Sequence, residues 1–237
     1  MLALGACGSA AGDDDKAFGE RVRAYLLAHP EVIEEASERL QAKQAADDAT
    51  AQKRAIAALP RYRAALERDP RDFVANPGGT ITLTEFYDYR CPHCANAAPK
   101  VLEIIAAHPE VRVVFKEMPI FGAASESAAY AALAVKKAGG DSLGLYQALM
   151  TTHPLDVATI DRLALARGAK AAELSPSGPG TQQLADTAEL FKQLSLDGTP
   201  AFVVGDHIIE GEDMDAVTAA IAETRAKGRR AEAAANH

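Results

Sequence analysis

Apolar residues recur at intervals of three and four positions through residues 17–68, which is the spacing of an amphipathic helix. Val22, Leu26 and Ile33 belong to this stripe, and Pro30 interrupts it. Because proline fits the first turn of a helix, the pattern predicts one helix that ends before Pro30 and a second that starts there. A stripe this narrow either pairs with another subunit or folds back on the chain's own domain, and the sequence leaves both interpretations open.

The pattern changes after the turn residues 76–79. Runs rich in β-branched and aromatic residues predict strands, and alanine-rich runs with helically spaced apolar residues predict helices. The predicted strands are residues 80–87, 111–115, 201–204 and 207–210, and the predicted helices are residues 94–107, several within 124–195, and 214–227. We therefore expect an α/β fold in which a helical block interrupts a small sheet.

The same pattern divides the chain into four segments. We predict a tether over residues 1–16, an N-terminal helical region over residues 17–70 and a main domain over residues 71–228. The main domain contains the helical insertion at about residues 123–195. Residues 229–237 are predicted to form a disordered tail, because they carry no apolar stripe.

The composition narrows the classes of protein to which the chain can belong. It has 237 residues, a formal net charge of −8, 48% hydrophobic residues and 5% aromatic residues. This length allows one or two domains with a buried core, and the acidic balance argues against a nucleic-acid partner. No apolar run approaches the roughly 18 residues of a membrane-spanning helix. The three cysteines are an odd number, so disulfides alone do not account for all of them.

The run Cys91-Pro92-His93-Cys94 carries the strongest chemical signal, because it follows a predicted strand and opens a predicted helix. The first turn of a helix has unpaired N–H groups and a partial positive charge, which would stabilise a thiolate at Cys91. Pro92 suits the first helical position, and His93 would stabilise the thiolate further. We expect Cys91 to be the attacking sulfur and Cys94, one turn later and more buried, to be the resolving sulfur.

Other uses of the cysteine pair fit the sequence less well. A zinc site would need a second pair, and no metal site is predicted. Attachment of c-type haem needs histidine directly after the second cysteine, where Ala95 stands. An inert disulfide across so short a loop would stabilise the fold little. Copper(I) binding by the two thiolates remains an alternative principal role, and no other cofactor is expected.

The motifs resemble those of the DsbA-like thiol:disulfide oxidoreductases. Residues 86–94, FYDYRCPHC, look like the family's active-site segment, and residues 198–203, GTPAFV, look like its cis-proline loop. This resemblance, which covers about residues 72–227, implies a thioredoxin fold with a helical insertion, preceded by an N-terminal helical segment. Residues 18–22 and 29–32 are similar to the subgroup that includes the suppressor-of-copper-sensitivity protein C. Members of that subgroup can oligomerise there, which makes residues 17–68 a candidate homo-oligomer region.

The resemblance implies roles for three further residues, and the predicted strand order adds a fourth. Thr199 and Pro200 would form a cis peptide bond beside the cysteines and pair with an extended client segment. Glu85, six residues before Cys91, would be a buried carboxylate that relays the proton of Cys94. Lys116, at the end of the neighbouring strand, would pair with Glu85. The alternative for Glu85 and Lys116 is an ordinary surface pair.

The two motifs differ in the reaction that they imply. By resemblance, histidine in the dipeptide accompanies dedicated oxidases, whereas threonine before the cis-proline accompanies isomerases and reductases. His93 and Thr199 occur together here, so oxidase and isomerase both remain open. In either case the expected partners are unfolded or misfolded cysteine-containing proteins and a membrane redox partner.

The third cysteine concerns the compartment of the protein. The run Leu4-Gly5-Ala6-Cys7 resembles the lipobox of bacterial lipoproteins, in which the cysteine is acylated. Only six residues precede Cys7, so either the true start lies upstream of Met1 or the match is accidental and the cysteine has no role. We expect a periplasmic protein with Cys7 as a candidate lipid anchor.

Overall fold

The computed structural model describes residues 10–174 and 179–235 of the chain. The chain forms two compact units, with the boundary between Ala51 and Gln52. No helix within the described ranges is both long enough and apolar enough to cross a membrane.

The N-terminal unit is helical. The first helix, α1, runs Ala10–Ala28, and the second, α2, runs Glu31–Glu67 and continues into the second unit. The break between them falls at Pro30, as the sequence pattern predicts. Residues 10–16 lie in α1, so this part of the expected tether is helical.

The second unit contains a five-stranded mixed sheet. The strands are β1 (Phe73–Ala75), β2 (Ile81–Tyr87), β3 (Val111–Glu117), β4 (Ala201–Val204) and β5 (His207–Glu210). Their order in the sheet is β1-β3-β2-β4-β5, with β2 and β3 parallel and the other neighbours antiparallel. The predicted strands are all present, and β1 is an addition that the sequence pattern did not indicate.

Six helices pack around this sheet, and four of them, α4 to α7, lie between β3 and β4 in the sequence. They are α3 (Pro92–Ala107), α4 (Ala123–Lys137), α5 (Ser142–Thr151), α6 (Val157–Leu165), α7 (Pro179–Gln193) and α8 (Met214–Ala235). Helices α4 to α7 are the expected helical insertion. Helix α8 includes residues 229–235, so the predicted disordered tail is wrong for these residues. The arrangement confirms the expected thioredoxin fold with a helical insertion and an N-terminal helical segment.

The two faces of the sheet bury separate clusters, because neighbouring strand residues point to opposite faces. One face carries Leu83, Tyr87 and Phe115, which pack with apolar residues of α3, α5 and α8. The opposite face carries Phe86, which packs with these residues of α2, α7 and the turn after α7: Leu59, Leu66, Leu190, Phe191 and Leu194. The part of α2 after Gln52 therefore covers the sheet of its own unit.

Candidate active site

Cys91 lies where the chain passes from β2 into α3. It is the N-cap residue of α3, with Pro92 as the first helical residue. The Cys91 N–H donates to the carbonyl oxygen of Asp88 at 3.1 Å, and the Cys91 carbonyl accepts from the N–H of Ala95 at 3.1 Å. These two bonds fix the sulfur at the positive end of the α3 dipole, where a thiolate is stabilised.

The second cysteine lies one helical turn further along α3 and is less accessible. Cys94 has no solvent-accessible surface, and Cys91 has a relative exposure of 2%. Both are free thiols. Burial raises the pKa of the Cys94 thiol well above its usual value, and the nearby charges of Cys91 and Glu85 raise the pKa further. Cys94 is therefore a buried thiol that ionises with difficulty.

The loop before β4 brings a proline beside the cysteines. The peptide bond between Thr199 and Pro200 is cis, as the resemblance implies. The thiol of Cys91 donates to the Thr199 carbonyl oxygen at 3.1 Å, so this loop contacts the sulfur directly. The Pro200 carbonyl accepts from the Gly211 N–H at 2.8 Å, which ties the loop to the turn after β5.

His93 points towards solvent and towards an acidic residue that sequence reasoning did not single out. Its side chain is 63% exposed, and its Nδ1 atom lies 3.5 Å from Oε1 of Glu212. Glu212 belongs to the turn between β5 and α8. A charged residue in a polar turn is ordinary in sequence, and only the fold reveals its position.

Glu85 is completely buried on β2, so the alternative of a surface residue is wrong for it. The hydroxyl of Tyr146, from α5, donates to both carboxylate oxygens, at 3.1 and 3.3 Å. Burial raises the pKa of Glu85 to about 8, although the hydrogen bond from Tyr146 acts in the opposite direction. The carboxyl group can therefore hold or release a proton near neutral pH.

The expected pairing of Lys116 with Glu85 is wrong. Glu85 aligns with Phe115 in the β2–β3 register, which places Lys116 on the opposite face of the sheet. Lys116 is buried there, with its Nζ atom 2.5 Å from Oδ2 of Asp72. Gln183 donates to the other oxygen of Asp72 at 3.2 Å. Lys116 therefore belongs to a buried ion pair that joins β3 to the segment before β1.

A buried carboxylate organises the loops around the cysteines, and sequence reasoning missed it. The side chain of Asp88 accepts from the N–H groups of Arg90 at 2.7 Å, Ile120 at 2.7 Å and Phe121 at 3.0 Å. It also accepts from the Ser125 hydroxyl at 2.8 Å. Asp88 thus joins the cysteine loop to the loop after β3, where Ile120 and Phe121 are partly exposed apolar residues.

A second buried carboxylate lies on the Glu85 face of the sheet. Glu117 accepts from the hydroxyls of Tyr87 and Tyr89, and burial raises its pKa well above the usual value. Its position follows from the alternation of β3, since Glu117 and Phe115 share a face. Alternation along β3 separates residues 116 and 117 onto opposite faces, but the register of β3 against β2 is needed to say which face each one occupies.

Within residues 10–174 and 179–235, no group of three or more His, Cys, Asp and Glu side chains is arranged to hold a metal ion. The cysteine pair is the only candidate for copper(I) that the sequence offered within these ranges. Cys7, the candidate lipid anchor, lies outside the described residues.

The mixed sheet, the inserted helices and the cysteine pair beside a cis-proline define a thioredoxin-fold protein of the thiol:disulfide oxidoreductase class. The chain belongs to the DSBA-like thioredoxin domain family, which matches residues 82–222. Residues 14–47 match a second domain family, described as the copper resistance protein ScsC N-terminal domain. The resemblance inferred from the motifs is therefore confirmed.

Solved structures agree with this assignment. A thioredoxin-like oxidoreductase from Silicibacter pomeroyi DSS-3 is 33% identical, with a TM-score of 0.63 over 69% of this chain and 97% of that chain. Proteus mirabilis ScsC in a transitional conformation is 30% identical, with a TM-score of 0.65 over 91% and 99%. A periplasmic thioredoxin-like protein from Salmonella enterica serovar Typhimurium is 26% identical, with a TM-score of 0.60 over 69% and 95%.

The curated relatives are longer proteins, and the chain spans about a quarter of their length. One is described as Na(+)/H(+) antiporter NhaA 1 from Salinispora arenicola. It is 28% identical over 178 residues, which cover 68% of this chain and 26% of that protein.

Proposed function

We propose that the protein exchanges disulfides with cysteine-containing client proteins through Cys91 and Cys94. The observation that carries this proposal is the position of Cys91. Its sulfur lies at the N-terminus of α3 and 3.1 Å from the carbonyl oxygen of Thr199, while Cys94 is buried one turn away. A thiolate with this support, next to a loop that can pair with an extended client segment, has the chemistry that exchange requires.

The exchange proceeds through a mixed disulfide in either direction. When the enzyme is reduced, the Cys91 thiolate attacks a client disulfide, forms one S–S bond and releases one client thiolate, which takes up a proton. Cys94 then loses its proton, attacks Cys91 and releases the second client thiolate. The enzyme ends as a disulfide and the client as a dithiol. The reverse sequence oxidises a client dithiol. In isomerisation, a different client thiolate attacks the client sulfur of the mixed disulfide, forms a new client disulfide and releases the Cys91 thiolate.

Glu85 is proposed as the group that takes the proton from Cys94. Its carboxyl is buried on the same side of the sheet as the cysteines, and its pKa of about 8 lies close to neutral pH. A buried thiol such as Cys94 ionises with difficulty unless an acceptor lies nearby. Lys116 takes no part in this relay, since it faces the other side of the sheet.

Single cysteine variants test the proposal. Cys91→Ala should abolish exchange with both a reduced and a scrambled client, and retained turnover would overturn the proposal. Cys94→Ala should accumulate clients as mixed disulfides on Cys91, visible as thiol-sensitive bands on a non-reducing gel. Cys7→Ala is the matched control, because it replaces the cysteine outside the pair, and it should retain turnover.

We also propose that the protein works in the periplasm and is recycled by a membrane redox partner. A similar solved structure, from Salmonella enterica serovar Typhimurium, is described as a periplasmic thioredoxin-like protein. Client disulfides form and persist in oxidising compartments such as the bacterial periplasm. Acylation of Cys7 would anchor the protein to a membrane. Metabolic labelling with a radioactive fatty acid tests this, and Cys7→Ala should lose any label.

Copper(I) binding is a second candidate function. The match of residues 14–47 to the copper resistance protein ScsC N-terminal domain favours it, as do two adjacent free thiols. Thiolates are soft ligands that select copper(I). Anaerobic titration of the reduced protein should show binding at one equivalent that Cys91→Ala removes. Tight binding without turnover of a scrambled client would favour this function over exchange.

Assembly of several copies would favour isomerase activity over oxidase activity. The N-terminal unit exposes large apolar side chains, with Phe18 at 59%, Leu27 at 66% and Leu40 at 56%. Exposed apolar stripes on helices of this kind favour self-association. Light scattering should report an oligomer for the full chain and a monomer for residues 52–237. Two monomers would remove this argument for an isomerase.

A further inference from the structure

The turn between β5 and α8 holds Glu212 in a fixed place. The preceding N–H, of Gly211, donates to the Pro200 carbonyl at 2.8 Å, and the Glu212 carbonyl accepts from the Met214 N–H at 2.9 Å. Asp213 then caps α8, with its Oδ1 atom accepting from the Ala216 N–H at 2.9 Å. The backbone of Glu212 is therefore fixed on one side by the cis-proline loop and on the other by a helix start.

With Cys91 as a thiol, the side chains of His93, Cys91 and Arg90 each approach a different partner. The Nδ1 atom of His93 lies 3.5 Å from Glu212, and the sulfur of Cys91 donates to the Thr199 carbonyl. The neighbouring cation, Arg90, donates to the Phe121 carbonyl at 2.7 Å. Thus the imidazole of the dipeptide is paired with a carboxylate of another element.

We propose that Glu212 is a positioning residue that lowers the oxidising strength of the cysteine pair by drawing His93 towards itself. The inference rests on the proposed exchange of disulfides and adds a determinant of its direction. A protonated imidazole close to the Cys91 thiolate stabilises the reduced enzyme and makes the disulfide a stronger oxidant. The Glu212 carboxylate competes with the thiolate for that imidazole, so part of the stabilisation is lost.

This competition would offset the oxidase character that His93 implies. His93 by itself favours an oxidase, but its effect depends on where the ring lies. With Glu212 in place, the disulfide becomes a weaker oxidant, which moves the pair away from the behaviour of a dedicated oxidase. The inference therefore concerns the balance between oxidation and isomerisation at the same site.

Glu212→Gln tests the inference, because glutamine has nearly the same shape and carries no charge. The full-length protein is equilibrated with glutathione buffers, in which two glutathione thiols become one disulfide as the Cys91–Cys94 disulfide becomes a dithiol. Alkylation and mass spectrometry of the peptide that contains both cysteines give the equilibrium constant. We expect the variant to increase that constant about two- to fivefold, the range for an exposed ion pair.

Two controls separate this effect from others. Glu210→Gln removes the same charge two residues away, from a side chain that accepts from the Asp197 N–H at 3.1 Å, and it should leave the constant unchanged. In a His93→Ala background, Glu212→Gln should produce little shift, since the imidazole through which it acts is absent.

The outcomes distinguish this inference from the proposed function. A wild-type protein that never equilibrates with glutathione would overturn both. A wild-type protein that equilibrates normally, with no increase in Glu212→Gln, would overturn only the role of Glu212. An equal increase in Glu210→Gln, or a full increase in the His93→Ala background, would overturn it as well, because the carboxylate would then act only as a general charge.

Discussion

The thiol of Cys91 donates to the main-chain carbonyl of Thr199 at 3.1 Å, although 108 positions separate the two residues in sequence. The contact joins the start of α3 to the loop before β4, which are the two segments that the motifs single out. A client segment that paired with the backbone at Thr199 would therefore place its own sulfur close to Cys91. One contact thus connects the proposed nucleophile with the proposed client site.

Asp88 should be essential to the shape of the surface around Cys91. Asp88→Ala leaves the N–H groups of Ile120 and Phe121 and the Ser125 hydroxyl without their acceptor. Unpaired donors of this kind cost about 1–3 kcal/mol each, so we expect the three together to cost at least about 3 kcal/mol. Urea unfolding of the reduced protein measures it.

The variant Asp88→Asn distinguishes the effect of the negative charge from the effect of the hydrogen bonds. Asp88→Asn retains one acceptor oxygen and should lose about half as much stability. Exchange with a client should slow in Asp88→Ala, because the loop that carries Ile120 and Phe121 is released. An unfolding free energy for Asp88→Ala within about 0.5 kcal/mol of wild type would contradict the role of this carboxylate.

Lys116 should matter for stability through its pair with Asp72. Lys116→Met leaves the buried Asp72 carboxylate without its cation, and the loss should be about 3–5 kcal/mol at pH 7. Chemical denaturation at pH 7 measures this loss. Asp72→Asn combined with Lys116→Met should be less destabilising than the sum of the single variants, because no unpaired charge remains. Strictly additive losses would show that the two side chains do not act as a pair.

Much of the fold follows from local patterns in the sequence. The periodicity of the long strands and helices is clear, and the sequence pattern itself shows a strand before the cysteine pair and a helix after it. Strand β1 has only three residues, too few to form a pattern. The end of α8 is rich in alanine and charged residues, so its helix propensity does not coincide with an apolar stripe.

The parts of the site that sequence reasoning missed depend on distant contacts. Asp88 and Glu212 are acidic residues beside turns, and such residues usually lie in solvent. Their roles arise because the loops after β3 and β5 pass close to the cysteine loop. The error at Lys116 was one of parity, since a shift of one residue in a strand exchanges the two faces. The alternation around Glu117 reveals this error only when the register of β2 against β3 is known.

Glu85 should make stability fall as pH rises. Its pKa is about 8 in the folded protein against 4.5 for an ordinary glutamate, so the folded state holds the proton more tightly. The stability that this provides is complete below pH 4.5 and is lost as pH rises to about 8. At about 1.4 kcal/mol for each pH unit, the loss between pH 4 and pH 7 is roughly 3 kcal/mol.

The measurement for Glu85 is the difference in unfolding free energy between wild type and Glu85→Gln. This difference cancels the titration of all other groups to a first approximation. Glu85→Gln should gain stability relative to wild type by roughly 3 kcal/mol as pH rises from 4 to 7. A difference that stays constant with pH would show that Glu85 titrates normally.

Tyr146→Phe should extend the pH range over which Glu85 stays protonated. The Tyr146 hydroxyl donates to both oxygens of the Glu85 carboxylate and lowers its pKa, so removing it should move that pKa above about 8. Tyr146 itself does not titrate in this range, because burial raises its pKa well above 10. The variant should therefore lose about 1 kcal/mol more stability than wild type between pH 4 and pH 9.

Tyr62→Phe is the control and should follow wild type, because the Tyr62 hydroxyl donates to Gln193 on the surface. A pH profile for Tyr146→Phe that matches wild type would mean that the hydroxyl has no effect on the charge of Glu85.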